Sequence, residues 1–261
     1  MSYRWESELG IKQVFAIARP LFFTQYSNAW MAARFLEVIP RLSRSELIRT
    51  CSELGDLEVV QQSYLASVPV PADSVSRARF SECVGVRVVA PFFAARLSNV
   101  RLVGPYAIPF TQKGQIVVEP FGDRWLKHVV RATIEELGYA RFLAQYLLAF
   151  RPFSFLTRAR FNSVAHLIAR ASQTPGDAQF GHWVCEQLPQ LRSIEAFIER
   201  QKQDIPLLIN PKPTRWQIDT LRLMGWESNR LIKQNWSGIR VNSLIVSSLR
   251  NVHSRGMEYD P

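Results

Sequence analysis

The sequence predicts an α/β fold, a parallel sheet with helical crossovers preceded by a helical region and a small antiparallel β region. Two observations carry this. Between Arg87 and Glu119 the chain alternates apolar and β-branched residues in short runs, the period of half-buried strands. From Val164 onward, strand-like and helix-like stretches follow one another singly, the order that builds parallel strands with right-handed connections. With 261 residues, 47% apolar and 21% charged, the chain has material for a substantial core and lies outside the disordered and low-complexity classes.

The elements follow in order. Ala29 to Ile39 and Arg44 to Leu54 read as helices, the second opened by Ser43 with Glu46 three positions on and closed by Gly55. VRVVAPFF, NVRLVGPYAIPFT and QIVVEPF read as strands, with Gln112-Lys113-Gly114 as a hairpin tip. Helices are expected from Arg124 to Leu137 and from about Tyr139 to Phe150, divided by Gly138 and stopped before Pro152. VAHLIARA (Val164 to Ala171) is a strand candidate, His182 to Lys202 a long helix and IPLLIN (Ile205 to Asn210) a second strand. Thr214 caps a helix to Met224, Gly225 ends it, and strands fall at Arg230 to Lys233 and Ile239 to Ser248. The expected divisions are residues 1–85, an N-terminal helical region; 86–163, a β-hairpin region with helices; and 164–261, the parallel-sheet lobe.

The net charge is +10, and 26 of the 32 basic residues are Arg, whose planar fork fits phosphate and carboxylate. An anionic partner follows. The excess is spread along the chain, 20 basic against 13 acidic residues before position 164 and 12 against 9 after it, with no run of five Lys or Arg and no nucleic-acid signature. Nucleic acid is therefore not expected. The Arg131 to Phe161 stretch mixes Arg with aromatics, as a core-facing helix with a basic edge or as a surface resting on anionic lipid. Cys51, Cys83 and Cys185 are too scattered for a disulfide framework, and no secretory signal or membrane-spanning run appears. A cytoplasmic protein, at most associated with a membrane, is expected.

The segment with chemistry is QFGHWVCEQLPQL, Gln179 to Leu191. His182 and Glu186 are four apart and share a helix face, near a helix N-terminus that favours anions, and Pro189 limits the regular helix. An imidazole beside a carboxylate suits a general base and its orienting partner, and the same spacing also serves as an ordinary surface pair. The HExxH pattern is absent, and the remaining histidines (His128, His166, His253) have no metal spacing, so neither a metal nor a cofactor is expected. The GxSxG, P-loop and GxGxxG motifs are also absent.

These residues resemble glycosyltransferase family 61. Its microbial members have a motif, roughly Asn-Tyr-Tyr-His-Trp-x-x-Asp-Glu-Leu-Pro-Arg-Leu, to which Gln179-Phe180-Gly181-His182-Trp183 and Glu186-Gln187-Leu188-Pro189-Gln190-Leu191 are similar. NVRLVGPYAIPFTQKGQIVVEPFG resembles the family's upstream hairpin, IPLLINP its following strand, RWQIDTLRLMGW its helix ending in Leu-Gly, and LIVSSL with SRGMEYDP the edge of its first catalytic domain. Gln179, Gly181, Glu186 and Gln187 depart from the motif's Asn, aromatic, Asp and Glu. The resemblance runs from about residue 85 onward. It implies a GT-B-like N-terminal lobe with a Rossmann-like sheet serving as acceptor lobe, and a second, donor-binding lobe, roughly 100 residues or more, that this sequence lacks, as a fragment or a natural truncation, so that a partner chain is a candidate source of it.

The implied reaction is inverting transfer of a sugar from a nucleotide sugar to an acceptor hydroxyl, on a glycan or lipid-linked acceptor in polysaccharide or glycoconjugate synthesis. His182 is the implied base, oriented by Glu186. Gln179, Trp183 and Arg255 are the implied substrate-binding residues, Arg255 toward the diphosphate. The alternative is a non-catalytic truncated lobe that binds glycan or a partner subunit.

Overall fold

Local capping sets the first elements of the chain. In the computed structural model, which describes residues 27–69, 72–74, 85–150, 159–168, 180–236 and 238–249, the Ser27 hydroxyl accepts from the Trp30 amide and opens α1 (Asn28–Val38). After the two-residue strand β1 (Arg41–Leu42), Ser43 caps α2 (Arg44–Glu53) by accepting from the Glu46 amide. The Glu46 carboxylate accepts from the Gln115 side chain of the hairpin instead of reaching back to the Ser43 amide, and Gly55, at φ 71°, ends the segment. Each cap satisfies donors that the first helical turn leaves open.

Among the described residues, three strands lie within the first 84 positions, where helices were expected: β1, β2 (Leu57–Gln61) and β3 (Tyr64–Val68). β3 pairs antiparallel with β4 (Gly85–Val89) as a separate two-stranded ribbon. β5 (Phe92–Val103) then turns through Gly104 into β6 (Ile108–Phe110), and the expected tip joins β6 to β7 (Ile116–Val117). At that tip Gly114 adopts φ 75°, and its Cα lies against Phe150 so closely that a Cβ would stand 2.2 Å from the ring. Only glycine fits there.

α3 (Asp123–Leu137) and α4 (Tyr139–Leu147) are separated by Gly138, as their spacing predicts. β8 runs Ala159–His166, five residues earlier than the expected strand from Val164. Its first half finds backbone partners on β11 (Gly238–Ser247), which the sequence pattern alone does not reveal. A short helix α5 (Phe180–His182), a π-helical turn (Trp183–Gln187) and α6 (Leu188–Gln201) occupy the long expected helix. β9 (Leu207–Ile209), α7 (Arg215–Leu223) and β10 (Leu231–Lys233) follow, with the Gln217 side chain accepting from the Thr214 amide at the start of α7.

Among the described residues, the large sheet has nine strands in the order β1-β7-β6-β5-β11-β8-β9-β10, with β2 also on β5. β11, β8, β9 and β10 are mutually parallel, and β5 joins them antiparallel along β11. The antiparallel and parallel regions are therefore one mixed α/β sheet rather than two successive sheets. Its continuity comes from β11, the last of the described strands, which lies between the two halves.

Side chains alternate across the parallel part. Val164, Leu208, Leu244 and Val246 face the core shared with α1, α3 and α4. Ala165, Leu167, Leu207, Ile209 and Ile245 face a second core under α6 and α7, with Leu191, Ile194 and Phe197. The near-continuous apolar runs of these strands reflect burial on both faces.

Candidate functional site

Open α/β sheets place their ligands beyond the carboxyl ends of their parallel strands. The Ser193 and Ser247 hydroxyls hydrogen-bond at 2.6 Å, and Ser247 is the last residue of β11. The turns of helix before Ser193 therefore project past the strand ends. They carry the expected motif.

Regular α-helix begins at Leu188, so that Pro189, which has no N–H to give, falls in a first turn that needs none. The residues just before it, Trp183–Gln187, widen into the π-helical turn, a feature that concentrates at functional sites. Within it Glu186 is completely buried and Gln187 almost so. The adjacent helix N-terminus has the polarity that favours a carboxylate.

A buried stripe continues the pattern. Glu186, Gln190 and Ser193 occupy successive turns on the side facing the strand ends, positions that an apolar core would fill with Leu or Ile. The Gln190 amide donates to the Pro120 carbonyl at 3.3 Å, tying the motif helix to the loop after β7. Ser248, next along from Ser247, accepts from the Phe93 amide at 3.0 Å and lies 3.3 Å from the Phe93 carbonyl. Among the described residues, the Trp183 indole N–H has no acceptor and the Gln187 carbonyl oxygen no donor, both in buried side chains. Such unmet polar atoms are uncommon inside proteins and call for a polar partner.

Three rings, two of them from these turns, form an edge-on row that ends at the surface. Trp183 stands edge-on to Trp216 of α7 at 5.8 Å, and Trp216 edge-on to Phe180 at 5.5 Å. Phe180 is 65% exposed. Val184 and Cys185 are exposed on the next turn.

His182 closes α5, directly before the π-helical turn, and its side chain lies outside the described residues. Gln179 and Arg255 also lie outside them. Of the expected site residues, Trp183 and Glu186 are thus described, both buried in one helical turn. Sequence reasoning passed over Gln187, Gln190, Ser193 and Ser247. The signal available for them was three polar residues at successive helical turns, in a helix whose other inward positions are apolar.

Beneath the strand ends lies His166, fully buried. Its Nε2 is 3.2 Å from both the Tyr106 and Ala107 carbonyls, so that nitrogen carries the proton and donates to them. Phe121 stacks edge-on at 5.5 Å. Burial pushes the imidazole down to about 4, against the opposite pull of the carbonyls. His166 is a neutral structural histidine.

No group of three or more His, Cys, Asp or Glu able to hold a metal occurs among the described residues. Among them, no helix is long and apolar enough to cross a membrane. Comparisons with protein-family profiles, with curated proteins and with solved structures found no match.

Proposed function

We propose that this chain is the acceptor lobe of an inverting glycosyltransferase of GT-B type, with its reacting groups on the helix that follows β8. The observation that carries the reading is Glu186, a carboxylate taken wholly out of water inside a π-helical turn, beyond the carboxyl ends of parallel strands. An ordinary surface pair at this spacing would leave the acid exposed.

In the proposed reaction His182 takes the proton of an acceptor hydroxyl as its oxygen attacks the anomeric carbon. The bond from that carbon to the diphosphate oxygen breaks, and the electron pair leaves with the nucleoside diphosphate. Glu186 orients the imidazole and stabilises its charged form, as a buried carboxylate does for a general base. Arg255 is the candidate for the departing diphosphate, and Gln179 and Trp183 for substrate contact. The nucleotide sugar and a glycan or lipid-linked acceptor are the partners.

The test is release of nucleoside diphosphate when the chain is incubated with a panel of nucleotide sugars and oligosaccharide acceptors. Turnover that falls by 100-fold or more in His182→Ala is the expected result, the scale of a lost general base. Turnover unchanged in His182→Ala refutes the assignment.

A second reading keeps the fold without the reaction: a non-catalytic lobe that binds glycan or a partner subunit through the same strand ends. It predicts glycan binding without binding of nucleoside diphosphates, measured by calorimetry with the isolated chain.

A further inference from the structure

Phe180 is an apolar ring left mostly in water, yet it is not loose on the surface. Trp216 holds it edge-on from α7 and is itself braced edge-on by the buried Trp183. Edge-to-face packing of this kind fixes ring planes and leaves the outer ring with a face free. Gly181, beside it, leaves open space, with no atom within 4 Å of where a Cβ would stand. Arg215, next to Trp216, is 95% exposed and pairs only loosely with Asp219 at 3.6 Å, and Lys212 is exposed.

A rigid apolar face held by Trp216, whose chain neighbour Arg215 is an exposed donor, matches one ligand chemistry closely. A pyranose ring presents a face of C–H bonds, drawn to the negative face of an aromatic ring, and an edge of hydroxyls that accept from Arg and Lys. A protein partner fits less well. A fully exposed aromatic offers on the order of 150–250 Å², so Phe180, Val184 and the half-buried Trp216 fall well short of the roughly 800 Å² that each partner contributes to a stable protein interface.

We propose that Phe180 and Trp216 form the platform on which one pyranose ring of the acceptor glycan stacks. The proposal rests on the glycosyltransferase reading and assigns the acceptor a place beside Phe180, six residues before Glu186 in the same helical segment.

The experiment is saturation-transfer NMR on the isolated chain with methyl glycosides of glucose, galactose and N-acetylglucosamine. For at least one glycoside, saturation is expected on the ring C–H protons of a single face. Phe180→Ala weakens binding by tenfold or more, Phe180→Leu does the same, and Phe180→Trp stays within threefold of wild type. Because Phe180 is exposed, the variants keep the wild-type melting temperature to within about 2 °C, which separates lost binding from lost fold. Binding that persists in Phe180→Ala overturns the platform and leaves the glycosyltransferase reading standing. Binding retained in Phe180→Leu overturns stacking, as does saturation from no glycoside at all. A change in oligomeric state on Phe180→Ala, read by sedimentation, assigns the ring to a protein contact and overturns the proposal. Platform binding with no sugar transfer removes the catalytic reading and leaves the platform.

Discussion

Replacing His166 with phenylalanine separates its titration from its packing. In the unfolded chain a histidine titrates near 6.5, and in the folded protein burial holds His166 down at about 4. Above pH 6.5 the imidazole is neutral in both states and its contribution to stability is complete. As the pH falls below 6.5 the unfolded state takes up a proton first, so stability is lost at about 1.4 kcal/mol per pH unit until about pH 4. Between pH 7.5 and pH 5.0 this single group accounts for a loss of about 2 kcal/mol, being silent above 6.5 and active over the 1.5 units below it.

His166→Phe removes the titration and leaves the Tyr106 and Ala107 carbonyls without their N–H donor, a cost of about 1–3 kcal/mol at pH 7.5. At pH 5.0 the gap between the two proteins closes by about 2 kcal/mol, since only the wild type has lost the histidine contribution. Urea unfolding followed by tryptophan fluorescence at the two pH values measures both numbers, and other titrating groups cancel in the comparison. An equal loss of stability in the two proteins on acidification would refute the argument, because His166 would then be able to take a proton in place.

Three further outcomes follow from the packing. Gly114→Ala combines a left-handed backbone with a Cβ 2.2 Å from the Phe150 ring, which predicts about 2–4 kcal/mol of destabilisation and a melting temperature lower by roughly 5–15 °C; an unchanged melt contradicts it. Ser193→Ala and Ser247→Ala each leave a buried hydroxyl partner behind and cost about 1 kcal/mol, while the double variant costs less than their sum in denaturant titrations. In the native protein Cys185 is alkylated within minutes while Cys51 is protected until unfolding, by peptide mapping, because Cys51 is buried, hydrogen-bonded to the Arg96 carbonyl, and its thiol is pushed up to about 11 by burial and then by Asp56. Equal labelling of the two would refute that burial.

What was legible in the sequence was local. Ser43, Thr214, Gly55, Gly138 and Gly225 act on their own neighbours, so the ends of α2, α3 and α7 lie where capping chemistry puts them. The tip at Gln112-Lys113-Gly114 was legible for the same reason. What was not legible depends on partners far along the chain. β1 and β2 are too short or too mixed in polarity to stand out, and they become strands because β7 and β5 supply hydrogen bonds. The insertion of β11 between β5 and β8 merges two regions that the sequence presents as successive. In the candidate site, Glu186 was visible through the motif, whereas its burial depends on how Pro189 and the π-helical turn set the helix against the strand ends. Gln190 and Ser193 look like surface residues until the Pro120 carbonyl and Ser247 meet them.

The buried carboxylate at the motif is the center of the account, and sugar transfer is its most direct measure. Mass spectrometry of an oligosaccharide acceptor incubated with a nucleotide sugar and either wild-type chain or Glu186→Gln reads the reaction itself, with circular dichroism confirming that both proteins are folded. Acceptor heavier by one sugar residue is expected with wild type, and a yield at least tenfold lower with Glu186→Gln. Equal yields from two folded proteins would contradict it, as would an acceptor whose mass never changes with any donor.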